Sequence, residues 1–202
     1  MRARLANVNQ SRYPGPVGTR REQILDTAAE LFAERGFHGV SVVELGAACG
    51  ISGPALYKHF PSKDAVLAEM LVDISEELLS VGRERSSGAA DAVAALRALV
   101  CWHVDFALRH KPLIVVQDRD WANLPDTARE RVRTLQRRYV AIWADRLREV
   151  HPDLTARTAR AMAHATFGLI NSTPHSAMLA EPEMRALLTA MAERSLALPP
   201  DG

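Results

Sequence analysis

The amino-acid sequence predicts an all-α fold of about nine helices. Three observations carry that expectation. Apolar residues recur at spacings of three and four through most of the chain and nowhere alternate as a half-buried strand would require. Ser or Thr stands where N-caps belong, twice with Glu three places on. Most prolines fall between the periodic stretches or in the first turn of one.

With 202 residues and 48% hydrophobic content, the chain can bury a sizeable core. Lys+Arg 25 against Asp+Glu 24 gives a formal charge of +1, so bulk charge predicts neither a nucleic-acid binder nor an enzyme for acidic substrates. Any basic surface must be local. Apolar runs are short and broken by charge, so no membrane-crossing segment is expected, and the N-terminus lacks the apolar stretch of a secretory signal. Cys49 and Cys101 lie far apart inside apolar patterns. That usage fits reduced core cysteines and a cytoplasmic location better than a disulfide or a metal site.

Residues 1–18 include Pro14, Gly15, Pro16 and Gly18 and read as a flexible arm. Its Arg2, Arg4 and Arg12 either add contacts to phosphate or contribute nothing. Thr19 and Glu22 form a capping box ahead of Ile24, Leu25, Ala28, Leu31 and Phe32, a helix that stops at Gly36. Ser41 and Glu44 repeat the pattern and open a shorter helix to Gly50. Ser52 caps a third, Pro54 is tolerated in its first turn, and Pro61 stops it near Phe60. Ser62 caps a fourth, with Val66, Leu67, Met70, Leu71 and Ile74 on one face, expected to end near Leu79. After a polar break at Ser86, Ser87 and Gly88, Val93, Leu96, Val100, Val104 and Leu108 mark a long helix ending near His110. Leu113 to Trp121 is less regular. Asp126 to Val150 reads as a long helix, Thr155 opens another through Met162 and Leu169, and Glu183 to Leu196 forms the last.

Three helices joined by tight connections build a helix-turn-helix module, in which the last helix enters the major groove and the one before it braces it. Gly50 sits where the turn needs a left-handed backbone. Leu45, Ile51 and Leu56 are spaced to pack against Leu25, Ala28 and Phe32, and Phe60, four after Leu56, joins that face. Outside lie Ser52, Tyr57, Lys58 and His59, with Lys63 at the mouth of the next helix, groups able to reach bases and phosphates. Taken singly, each is an ordinary surface or core residue. Their joint placement on one side of a motif-length segment is what points to DNA.

The stretch "AAELFAERGFHGVSVVELGAACGISGPALYKHFPSKDAVL" closely resembles the DNA-binding domain of the TetR family of transcriptional regulators, over about Thr19 to Leu71, with "ERGF" and "LYKHFPSK" at the expected distances. The resemblance implies a homodimeric all-α repressor that is no enzyme and needs no cofactor or metal. It divides the chain into an arm (1–18), a helix-turn-helix domain (19–64) and a ligand-binding and dimerisation domain (65–202) whose last two long helices pair with a second copy. It places phosphate contacts on Ser41, Tyr57, His59 and Lys63 and base reading on Ser52, Gly53, Ala55 and Lys58. One departure is Gly46, where the family usually has Ala, at a cost of about 1 kcal/mol in helix propensity.

The remainder must then couple a small molecule to operator double-stranded DNA. Trp102, His103, Phe106, Trp121, Tyr139 and Trp143 either line an apolar cavity or fill the core. Asn171, Thr173 and His175 follow on an apolar stretch and need partners from the backbone, a ligand or, as the first reading, a dimer mate, with a helix break near Ser172 to Pro174. Asp118, Arg119 and Asp120 read as a solvated charge run or as ligand contacts. The mixed aromatic and aliphatic composition suggests a hydrophobic or amphipathic effector. The alternatives are an all-α enzyme, for which His103, His110, His164 and His175 form no recognised metal or nucleophile motif, and a helical protein-interaction adaptor.

Overall fold

Thr19, Ser41, Ser52, Ser62 and Thr155 each accept a hydrogen bond from the backbone N–H three residues on, so every helix start that the sequence marks with a hydroxyl is a helix start in the structure. The structure is a computed structural model describing residues 19–176 and 178–198, and the expected arm at 1–18 lies outside them. In chain order come α1 (Arg20–Arg35), α2 (Val42–Ala48), α3 (Gly53–Leu56), α4 (Lys63–Ser87) and α5 (Ala92–Arg109). Then follow α6 (Lys111–Asp120), a 3-10 turn (Trp121–Asn123), α7 (Asp126–Val150), α8 (Ala156–Ile170), α9 (Thr173–Ser176) and α10 (Glu181–Ser195). The described residues contain no strand. The all-α expectation holds, and the segments beyond the expected set are the 3-10 turn and the four-residue α9, which follows the expected break.

The spine is α4, and it is longer than the expected end at Leu79. Its early turns belong to the N-terminal module: Lys63 bonds the turn after α1 and Glu69 pairs with Arg21. Its later turns lie along α5 and α7, where Trp102 Nε1 donates to the Leu78 carbonyl, Tyr139 packs on Gly82, and Arg146 Nε donates to Ser86 Oγ at 3.0 Å. The buried positions after Leu79 are Gly82 and Ser86. They keep the helical spacing but carry no apolar side chain, which is why periodicity stops short of the real end. The boundary expected at 64/65 thus falls in the first turn of a continuous helix, and buried side chains from Ile24 to Leu196 form one cluster.

Two further expectations change. Cys101 is exposed and Cys49 half-buried, so neither is a core cysteine, because α5 turns Trp102, His103 and Val104 inward instead. Asn171 and Thr173 find partners within the chain: Asn171 Oδ1 meets His103 Nε2 at 3.2 Å, and Thr173 Oγ1 donates to the Ala107 carbonyl.

Candidate nucleic-acid interface and effector cavity

The N-terminal module is built around the turn from α2 to α3. Gly50 adopts φ +68, and Ile51 N–H donates to the Gly46 carbonyl at 2.9 Å, so the chain reverses within three residues. A Cβ at Gly46 would stand 3.0 to 3.2 Å from the backbone of Ile51, Ser52 and Gly53. The propensity lost at Gly46 is therefore set against a close approach of α2 to the turn that carries α3. From below, α1 grips both ends: Arg20 donates to the Cys49 carbonyl, and Arg21 donates to the His59 carbonyl while lying 4.1 Å over the Phe60 ring. Phe60, Leu56, Leu45 and Phe32 fill the space between, as the spacing predicts.

The opposite side is open. Tyr57 is 54% exposed, Lys58, Ser52 and Ser41 are exposed, His59 and Ala55 are half-buried, and Gly53 is buried. Ser41 and Ser52 spend their hydroxyls as N-caps, Ser41 also donating to Glu44 at 2.7 Å. That donation holds the Glu44 carboxyl below its usual range. Lys63 is committed in a way the sequence does not reveal: its Nζ donates at 2.7 Å to both the Phe37 and Val40 carbonyls and sits 4.3 Å over the Phe37 ring. One of its three N–H donors remains. A Cβ at Gly53 would meet only ordinary contacts, at 3.6 Å from Val43, so nothing inside the protein demands glycine there. Val43 itself, 70% exposed beside the start of α3, is absent from the sequence-based set; an isolated exposed valine on α2 carries no signal until α3 is placed next to it.

In the second half, α4, α5, α6, α7 and α8 line a cavity of about 220 Å³ that opens to solvent at Asp118 and His164. Of the residues expected to line it, His103, Phe106, Tyr139 and Asn171 do. Trp102, Trp143 and Trp121 do not: Trp102 packs beneath Arg109, Trp143 is fully buried against His103 and Phe167, and Trp121 lies in the 3-10 turn under Arg133. At the centre, His103 stacks 4.6 Å from Phe167 and 5.7 Å from Tyr139, with Nδ1 3.3 Å from Tyr139 Oη. Burial lowers its pKa to about 4, against the opposing pull of the Asn171 hydrogen bond, so the ring is neutral at physiological pH. A neutral ring that donates from Nε2 to Asn171 Oδ1 accepts at Nδ1 from the Tyr139 hydroxyl, which satisfies both ring nitrogens. Burial likewise pushes the Tyr139 phenol up, which keeps it a donor.

Both halves match known families. Residues 24–70 match the model for bacterial regulatory proteins of the tetR family, and residues 89–175 match a tetracyclin repressor-like C-terminal domain. The chain belongs to the TetR family. It is 36% identical over 100 residues to the HTH-type transcriptional repressor KstR2 of Rhodococcus jostii, a match spanning 49% of this chain and 49%, about half, of that repressor. It is 27% identical over 164 residues to the HTH-type transcriptional regulator UidR of Escherichia coli K12, covering 74% of this chain and 79% of UidR. A TetR-family regulator from Bordetella parapertussis superposes with a TM-score of 0.78 at 28% identity, covering 92% of this chain and 96% of that one. The family is one of DNA-binding transcriptional regulators, not enzymes. No helix among the described residues is long and apolar enough to cross a membrane.

In this TetR-family chain the cavity and the DNA module share a clamp. Helix α6 lines the cavity with Leu113, Ile114, Gln117 and Asp118 and ends in Arg119 and Asp120. Arg119 donates to the Phe32 and Ala33 carbonyls, closing the last turn of α1 beside Gly36, whose φ of +79 ends the helix. Asp120, 5% exposed, accepts from Phe37 N–H at 3.3 Å and from Arg119 at 3.1 Å. His38 and Asn123 add a contact at 2.8 Å. Of the segment 118–120, Asp118 is thus solvent-exposed as its composition suggests, while Arg119 and Asp120 are committed to the end of α1 and the turn after it. The turn it holds is the one Lys63 grips from α4, and it leads directly into Ser41, the cap of α2.

Proposed function

We propose that this TetR-family protein is a repressor that binds operator DNA as a homodimer and leaves it when a small apolar or amphipathic molecule fills the cavity. In this reading residues 19–64 contact DNA, residues 65–202 bind the ligand and the second copy, and the site of action is the cytoplasm. Tyr57, His59 and Ser41 contact phosphates, Lys58 is the best-placed base reader, and Ser52, Gly53 and Ala55 form the leading edge of α3. The room left at Gly53 fits an edge kept bare so that the backbone can approach the groove. Dimerisation is assigned to α8 and α10, which pack together and leave an outward stripe of Ala161, Ala165 and Gly168 on one and Leu187 and Met191 on the other.

The observation that carries the proposal is that one helix, α6, both walls the cavity and holds the turn entering α2. A ligand that fits better when α6 is displaced pulls Asp120 and Arg119 from the end of α1 and spoils the separation of the two recognition helices, which must be about 34–36 Å to reach successive major grooves. Fluorescence anisotropy with the DNA upstream of the protein's own gene tests this. Sequence-specific retention weakened by Lys58→Ala and by Tyr57→Phe is expected. Equal affinity for random DNA, or none at low salt, removes the proposal.

A further inference from the structure

The walls of the cavity have a one-sided chemistry. No Lys or Arg lines it, and the one carboxylate on its wall is that of Asp118. His103 offers no charge, because it is buried and neutral, and both its ring nitrogens are occupied by Tyr139 and Asn171. With Asn171 Oδ1 accepting from His103, the Asn171 amide N–H groups are left to donate into the cavity. Gln117 from α6 and Gln136 from α7 add carboxamides that make no hydrogen bond to another described residue. His164 of α8 stands exposed on the same wall, and Ser75 of α4 spends its hydroxyl on the Leu71 carbonyl; the rest is aliphatic and aromatic.

The geometry points to a ligand whose polar group is an uncharged carbonyl, as in a ketone, ester, amide or thioester, and to disfavouring of the matching free carboxylate. This rests on the ligand-responsive reading above and names what the cavity selects. An uncharged carbonyl oxygen needs one or two N–H donors, which Asn171, Gln117 and Gln136 supply. A carboxylate finds the same N–H donors but brings a full charge, and the wall sets the Asp118 carboxylate near it with no Lys or Arg to offset the repulsion and the lost hydration. Size sets the body: an apolar cavity of about 150 Å³ admits benzene, so one of about 220 Å³ has room for a ring with a short side chain.

Benzylacetone, hydrocinnamamide and hydrocinnamate share one carbon frame and differ only in CH3, NH2 or O⁻ beside the carbonyl, so they isolate the charge. Each is titrated into the full chain at neutral pH by calorimetry, with chain melting followed in parallel. The ketone and the amide are expected to bind, the carboxylate at least about tenfold more weakly. Asn171→Leu weakens the ketone, and Asp118→Asn narrows the gap between the ketone and the carboxylate. Asp118 is exposed, so that variant keeps the test decisive if Asn171→Leu fails to fold. Carboxylate binding equal to or tighter than the ketone, carboxylate binding lost in His164→Ala, or no binding of the ketone and amide overturns the inference. Because calorimetry reads the cavity directly, a chain that binds the ketone but no operator sinks the regulator proposal alone. A chain released from operator by the carboxylate sinks only this one.

Discussion

His103 is a base that folding deprives of its proton. Its folded pKa is lowered to about 4 from 6.5 by burial. Between those values the unfolded chain binds a proton that the folded chain refuses, so stability falls as pH drops through that window. This group alone accounts for about 3 kcal/mol across it. Urea unfolding at pH 7 and at steps down to 4.5 should show wild type losing stability faster than His103→Gln; parallel curves would refute the assignment. Lysines at the DNA module separate in the same way by what each touches. Lys58 is exposed and its side chain makes no hydrogen bond, ion pair or ring contact with another described residue, so Lys58→Ala should leave melting within about 0.5 kcal/mol of wild type. In operator variants it should relax selectivity at one base pair by about 1–3 kcal/mol. Lys63→Met strips the Phe37 and Val40 carbonyls of their donor and should cost about 1–3 kcal/mol of stability, so its loss of DNA affinity arrives with a lower melting temperature.

Among the elements, α4 and α7 meet where Gly82 faces Tyr139. A Cβ at Gly82 would stand 2.4 Å from Tyr139 Cε2, an overlap that the ring must relieve by moving. Gly82→Ala gains about 1 kcal/mol in helix propensity but should lose about 1–3 kcal/mol to overpacking, and it should break the Tyr139–His103 hydrogen bond. Thermal melting gives the sign; a more stable variant would show that Tyr139 has freedom this packing denies. The same contact explains what the sequence conceals. The N-terminal module is legible because its signals are local: caps at Thr19, Ser41, Ser52 and Ser62, a left-handed Gly50, a four-residue spacing from Leu56 to Phe60. The late turns of α4 are not, since Gly82 and Ser86 earn burial by being small or by bonding Arg146. The cavity is half-legible. Aromatic residues on α5 and α7 announce a packed centre, but whether a given ring faces the void or the core depends on how five helices close. Trp143 therefore falls in the core while Phe167, unremarkable in sequence, stacks on His103.

At the scale of the molecule, the proposed function calls for two copies and one link. Leu187 is 44% exposed and Met191 43%, too apolar a pair to be left bare on α10 beside the small residues of α8. Leu187→Asp with Met191→Asp should convert a dimer to a monomer by sedimentation, with little change in helix content by circular dichroism, and abolish operator binding; a dimer unaffected by both changes refutes the assignment. The link is Arg119. Its planar guanidinium reaches the Phe32 and Ala33 carbonyls together while contacting Asp120, a geometry that a single ammonium cannot reproduce. Arg119→Lys keeps a positive charge beside the buried Asp120 and so spares it the cost of standing alone, but loosens the grip on α1. Ligand affinity in the absence of DNA should be unchanged, because Arg119 is not on the cavity wall. Ligand-driven release should shrink: a coupling free energy of about 1–3 kcal/mol, typical for such proteins, weakens operator binding by about 5- to 150-fold, and the variant should approach no effect. Reciprocity supplies the check, since operator DNA must depress ligand affinity by the same factor in wild type and by the same smaller factor in Arg119→Lys. If the variant keeps full coupling, α6 does not transmit through the end of α1, and the signal runs along α4, the other helix common to the cavity and the DNA module.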